Sequence, residues 1–226
     1  MSWILQIDTA LETASVSIAF DGKLVAEKLN TTQKDHASFL QPSIVELLAV
    51  AAISINQIDA IAVVNGPGSY TGLRVGMASA KGLCYALNKP LITIGSLELL
   101  AAVAIEQINE KGESILFCPM IDARRLEVFT AIYDQHMNVM TVPCAIELTE
   151  NLFVNWMLKK RLYFFGNGAP KWKLICSNDN AHFITVENNN VIVSSLANIK
   201  YNKKEFASLA YSEPAYLKEF YSPLTS

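Results

Sequence analysis

Between Ile61 and Lys81 the chain reads Ile-Ala-Val-Val-Asn-Gly-Pro-Gly-Ser-Tyr-Thr-Gly-Leu-Arg-Val-Gly-Met-Ala-Ser-Ala-Lys, an order that few backbones accept. Its first four residues, apolar and either β-branched or small, suit a buried strand, and Asn65 to Gly68 carry the turn chemistry that ends it. A helix is predicted to follow, with Thr71 near its start and Leu73, Met77, Ala80, Leu83, Cys84 and Leu87 on one face. The adjoining face, Gly72, Gly76, Ser79 and Ala80, carries almost no side chain. Each interior glycine costs a helix about 1 kcal/mol relative to alanine. Two of them imply that something approaches the backbone closely: a phosphate, a strand beneath or another helix. The loop begins like a dinucleotide fingerprint but lacks the third glycine, and no acidic residue follows before Glu98. Without a Gly-Lys-Ser/Thr triplet it is not a P-loop either, so a structural turn and a helix contact are the preferred reading.

Around this centre, residues 3–7 predict a strand ending in Asp8-Thr9-Ala10, residues 14–20 a second, and Asp21-Gly22 a hairpin into a third over 23–29. A helix is expected over about 35–52, with Phe39, Leu40, Ile44, Leu47 and Leu48 on its apolar side and a kink or break at Pro42. A strand over 90–94 and a helix over 97–108 complete the first half. The second half repeats the plan. Strands over 115–121, 128–133 and 139–142, a helix over 150–160, a strand over 162–165 into Gly166-Asn167-Gly168, a strand over 183–186 and terminal helices over 195–211 are predicted. Asp8 aligns with Asp122 and Asp21 with Asp134, so an internal duplication is preferred to chance. The expected division is 1–101 and 102–226, with the last helix free to return to the first lobe.

Composition narrows the function classes. The 226 residues are 51% hydrophobic and 17% charged with a formal charge of −3, which excludes a disordered chain and leaves no basic footprint for a nucleic acid. The basic groups at 159–161 and at Lys200, Lys203 and Lys204 read as solvated faces. No basic segment precedes an apolar core at Met1, and the apolar tract over 44–64 is broken by Glu46, Asn56, Gln57 and Asp59. Neither a signal peptide nor a membrane span is expected, which points to the cytoplasm. Cys84, Cys118, Cys144 and Cys176 lie far apart and read as buried thiols, and His36, His136 and His182 are scattered, His36 as a surface or capping residue.

Two similar α/β lobes, each opening with a meander that ends in Asp, describe the actin-like ATPase (ribonuclease H-like) fold. Within it, Ile7-Asp8-Thr9, the run from Gly66 to Gly76, Ala80-Lys81-Gly82, Asp122-Ala123-Arg124-Arg125 with Glu127-Val128, Gly166-Asn167-Gly168, and Glu213-Pro214 with Tyr216-Leu217 resemble the TsaB family, formerly called YeaZ. The resemblance spans nearly the whole chain. It implies a non-catalytic subunit that works with the catalytic TsaD and the small ATPase TsaE. Together they place a threonylcarbamoyl group on the adenosine beside the anticodon of tRNAs reading codons that start with A.

TsaD-like proteins follow the corresponding strand with a His-x-x-x-His pair that holds a metal, where this chain has Ser96 and Leu100. Actin-like phosphate loops want glycine after their aspartates, where this chain has Ala10 and Arg124. No metal or nucleotide cofactor is therefore expected here, ATP and metal belonging to TsaE and TsaD. Asp8, Thr9, Gly66, Gly68 and Asp122 remain as candidates for weak nucleotide contact, and Arg124, Arg125 and Glu127 as contacts to a partner or the cleft. Docking of TsaD, or of a second copy as a homodimer, is expected on the first helix and the glycine-bearing helix, through Leu40, Ile44, Leu47, Gly72, Leu73, Gly76, Met77, Ser79 and Ala80. The tRNA would be reached only through the complex. Runner-up readings are a glycoprotease-type peptidase and a kinase-like nucleotide-binding protein. No His-Glu-x-x-His, Gly-x-Ser-x-Gly or Ser-x-x-Lys supports the first, and the altered phosphate loops weigh against the second.

Overall fold

The computed structural model describes residues 1–32, 35–108, 112, 114–187 and 189–218. Strands β1 (Trp3–Asp8), β2 (Ala14–Phe20), β3 (Lys23–Asn30), β4 (Ala60–Gly66) and β5 (Leu91–Gly95) form one sheet in the order β3-β2-β1-β4-β5. The first three strands pair antiparallel and the last two join in parallel. Strands β6 (Ile115–Asp122), β7 (Glu127–Tyr133), β8 (Val139–Glu147), β9 (Arg161–Phe165) and β10 (Ala181–Phe183) form a second, in the order β8-β7-β6-β9-β10. Strand for strand, the two orders are the same, as the repeated sequence plan requires. This is the α/β actin-like architecture of two similar lobes.

Burial follows from position in the sheets. Strands β1 and β4 are apolar almost throughout because helices cover both faces, whereas β3, at an edge, alternates exposed and half-buried residues. Helices α1 (His36–Val50) and α2 (Tyr70–Leu87) cover one face of the first sheet, placing Leu40, Ile44, Leu47 and Met77 against Leu5, Ile7, Ile18 and Val63. The other face carries α3 (Ser96–Ile108) and α6 (Asn190–Asn202), with Leu99, Val103, Val193 and Ala197 packed on Ile4, Ala62 and Ile92. Helix α3 also turns Leu97, Leu100 and Ala104 onto Ile115, Phe117 and Phe165 of the second sheet. A cut between residues 101 and 102 therefore falls inside a helix that both lobes share. The short α4 (Val154–Met157) and α5 (Ala169–Lys173) close the far face of the second sheet around Trp172.

Several elements differ from their sequence-based expectation. Helix α1 runs through Pro42 without a break, held on either side by buried Leu40, Ser43 and Ile44. Only 154–157 of the expected helix over 150–160 is α-helical. Strand β8 continues to Glu147. After α6 the chain turns at Lys204, with φ of 56°, and residues 207–218 cross the molecule as a strap instead of a further helix. Cys84 and Cys118 are buried, and burial pushes the Cys118 thiol up to about 12, but Cys144 and Cys176 are only half-buried. His36 is buried, its Nε2 lying 3.4 Å from the Leu11 carbonyl, and is not a surface residue.

Candidate functional site

The lobes meet at a cleft of about 720 Å³ lined by Glu12, Gly68, Tyr70, Asp122, Arg124 and Asn167, with the strap residue Lys218 at its edge. Its first-lobe wall is the junction of β1 and α2. Thr9 Oγ1 donates to the Gly72 carbonyl at 2.7 Å, and Ser69 N donates to the Ala10 carbonyl at 2.7 Å. A Cβ added at Gly72 would lie 2.0 Å from the Thr9 carbonyl oxygen, one at Gly76 2.3 Å from Thr9 Oγ1, and one at Gly68 2.1 Å from the Ala10 carbonyl oxygen. Of the three causes that a bare helix face allows, the strand beneath is the one found.

That finding corrects the expected docking residues. Leu40, Ile44, Leu47, Leu73, Met77 and Ala80 are at most 4% exposed, Gly72 and Gly76 are buried, and only Ser79 is half-buried. They form the first lobe's own core, because β1 and the apolar stripes of α1 and α2 already cover one another. What the paired helices turn outward is a different set: Val45 and Ala49 on α1, and Ala78, Gly82 and Tyr85 on α2. Val45 is 67% and Tyr85 82% exposed. The sequence carries the signal as a second stripe, Ala78, Gly82 and Tyr85 at helical spacing, masked by the larger residues of the first.

The two aspartates are used differently. Asp8 is 4% exposed and, among the described residues, accepts only from the Ala10 amide, at 2.9 Å; burial pushes its carboxyl up to about 6 against that hydrogen bond. Asp122 is exposed and accepts from the Arg124 amide at 2.6 Å and from Lys171 Nζ at 2.7 Å. Partial burial pulls its carboxyl upward, but these partners leave it below the usual carboxylate value. The Ala10 and Arg124 amides are thus engaged by the aspartate side chains, and the Ala10 carbonyl presses on Gly68. Two backbone amides that would have to be free to meet a nucleotide's phosphate oxygens, those of Ala10 and Arg124, are therefore already engaged. Gly66, with φ of 111°, sits against Leu73 and the strap at Ala215 instead of facing the cleft.

Across the cleft runs the strap. Ala215 N donates to the Asn65 carbonyl at 2.7 Å, and Arg74 Nε donates to Tyr216 Oη at 3.0 Å while its guanidinium lies 4.0 Å from the Tyr70 ring centre. On the second lobe, Lys218 pairs with Glu127 and donates to the Ala123 carbonyl. Arg124 and Arg125, at φ of 69° and 49°, hold a left-handed backbone that non-glycine residues adopt at a cost; both are exposed, and Arg124 lines the cleft. Ser96 is buried with its hydroxyl unpartnered, and Leu100 packs in the second lobe's core. Among the described residues no group of three His, Cys, Asp or Glu side chains can hold a metal ion.

Residues 25–219 match the family model described as TsaD: tRNA N6-adenosine threonylcarbamoyltransferase. A tRNA threonylcarbamoyladenosine biosynthesis protein TsaB from Buchnera aphidicola is 30% identical over 233 aligned residues that cover 96% of this chain and 98% of the relative. The chain belongs to the TsaB family. The Bacillus subtilis TsaB is 35% identical over 130 residues, 58% of this chain, and there the chain spans about half, 54%, of the relative's length. The solved structure of YeaZ from Pseudomonas aeruginosa superposes with a TM-score of 0.78 at 25% identity, covering 96% of this chain and all of that one. The match reaches from β3 into the strap, so this family membership rests on both lobes.

Proposed function

We propose that the chain is the non-catalytic partner of TsaD in making threonylcarbamoyladenosine on tRNA. The observation that carries the reading is a family likeness over nearly the whole chain, combined with Ser96 and Leu100 where TsaD-like proteins carry their metal-binding histidines. TsaD does the chemistry; this chain acts in the cytoplasm through its surfaces. Its docking face is the outer side of α1 and α2, where Val45, Ala49, Ala78, Gly82 and Tyr85 offer an apolar surface low enough for two further helices to approach. A second copy of the chain would use the same face, so homodimer and heterodimer compete. TsaE completes the assembly, the exposed Arg124 and Arg125 beside the cleft being candidates to meet a partner. The formal charge of −3 supports contact with tRNA through the complex alone.

Reconstituted tRNA modification by TsaD and TsaE, with and without this chain, tests the reading. Modification that depends on the chain is expected. Equal modification in its absence, or activity of the chain without TsaD, would overturn it.

A further inference from the structure

From the turn at Lys204 the chain leaves α6 and crosses the molecule as the strap, and no residue from 207 to 218 is buried. Ala207 and Leu209 rest half-buried on the first lobe's core, and Leu217 on the second's. The other fastenings described are polar. The Ala207 amide donates to the Leu91 carbonyl at 2.8 Å, and the Ala215 amide to the Asn65 carbonyl at 2.7 Å. Between these two anchors, Lys81 Nζ reaches from α2 to the Ser212 carbonyl at 3.0 Å and the Ala210 carbonyl at 3.4 Å. Beyond them come the Arg74 bond to Tyr216 and the Lys218 pair with Glu127. Helix α6, by contrast, buries Val193, Ser194 and Ala197 against the first sheet.

Apolar burial is the main term that holds an element down, whereas hydrogen bonds and ion pairs at the surface trade readily with water. A segment fastened in this way belongs to the low-stability end of a protein's opening events. Its fastenings also depend on one another. The Ser212 amide donates to the Ser208 carbonyl at 2.9 Å, so the span gripped by Lys81 is a compact turn that ties the anchor at Ala207 to the one at Ala215.

We infer that the strap is a latch that lifts from β5, α2 and the second lobe as one unit while both sheets, α3 and α6 stay folded. Its position gives the opening a consequence. Ala215 and Leu217 line both the cleft, of about 720 Å³, and a second cavity of about 620 Å³ behind the strap, which Glu98, Tyr133, Leu196 and Lys200 also line. With the latch lifted, the wall between the two is gone and they form one chamber. Arg74 and Lys81 share helical spacing with Ala78 and Tyr85, so the latch is fastened along the border of the docking face proposed above. The opening itself belongs to the isolated chain and does not rest on that assembly.

Native-state hydrogen exchange of the isotope-labelled full chain, followed by NMR, tests the latch. The Ala207 and Ala215 amides are expected to be protected equally within about threefold, and at least about 100-fold less than the amides of β1 and β4. Lys81→Met keeps the apolar stem and loses both bonds to the strap. It should lower protection at Ala207 and Ala215 alike, by about fivefold, although those amides donate elsewhere, and leave β1 and β4 unchanged. Arg74→Met, at a separate fastening, should do the same. Strap amides as protected as those of β1, or unlike protection at Ala207 and Ala215, would overturn the inference. So would substitutions that affect neither amide, only one of them, or the sheet equally.

Discussion

Thr9 fits beneath α2 because Gly72 and Gly76 have no Cβ, and each glycine can be tested by supplying one. Gly76→Ala drives a methyl to 2.3 Å from Thr9 Oγ1, so the helix or the strand end must shift. We expect a loss of about 3 kcal/mol, at the upper end of overpacking costs, read as a lower urea midpoint with an unchanged slope. Gly82→Ala meets nothing within 4 Å and should stabilise the isolated chain by up to about 1 kcal/mol. Equal effects at the two positions would contradict the packing described. Asp8 makes a pH prediction. Its carboxyl binds a proton more tightly in the folded chain, at about 6, than at the 3.8 of an unburied aspartate, so folding gains stability as pH falls from above 6 to below about 4. The penalty at pH 8 is on the order of 2 to 3 kcal/mol, because each tenfold change in proton affinity is worth about 1.4 kcal/mol. Asp8→Asn keeps an acceptor for the Ala10 amide and removes the charge. It should be more stable than the native chain at pH 8, with the difference vanishing near pH 4; a constant difference across that range would show that Asp8 is not the titrating group.

At the scale of elements, most of the fold is legible where local chemistry is strong. The Asp21-Gly22 hairpin, the Asn65 to Gly68 turn and the alternation of β3 are set by neighbours in sequence, and the same cues repeat in the second half. The small-residue stripe of α2 misleads for a physical reason. Small residues at helical spacing permit a close approach but do not say by what, and only the tertiary position of β1 shows that Thr9 occupies it. Of the helices expected over 195–211 only the part to Asn202 forms, within α6, and the strap's course beyond it is set by distant partners, Asn65, Arg74 and Glu127. The closed amides at Asp8 and Asp122 are half legible: the missing glycines are visible, but the hydrogen bonds that engage Ala10 and Arg124 are not. Helix α3 tests the shared-helix arrangement. Leu99 faces the first lobe and Leu100 the second, both buried, so Leu99→Ala and Leu100→Ala should each cost about 2 to 5 kcal/mol. Each should lower one common transition. Selective melting of a single lobe in either variant would mean that α3 does not couple them.

For the whole molecule, a shared α3, an α6 packed on the first sheet and a strap across both lobes describe one cooperative unit whose cleft is tied shut at several points. Trp3 in the first lobe and Trp172 in the second should therefore report coincident unfolding curves, and separated midpoints would show independent lobes. The outer face of α1 and α2 is the surface proposed for docking, and Gly82 lies at its centre with open space around it. The decisive measurement is a calorimetric titration of TsaD with the native chain and with Gly82→Arg, alongside their melting curves. The variant is predicted to melt no lower than the native chain and to bind TsaD at least about 100-fold more weakly, because docking would bury an unpaired guanidinium. Undiminished binding by the folded variant would contradict docking on this face.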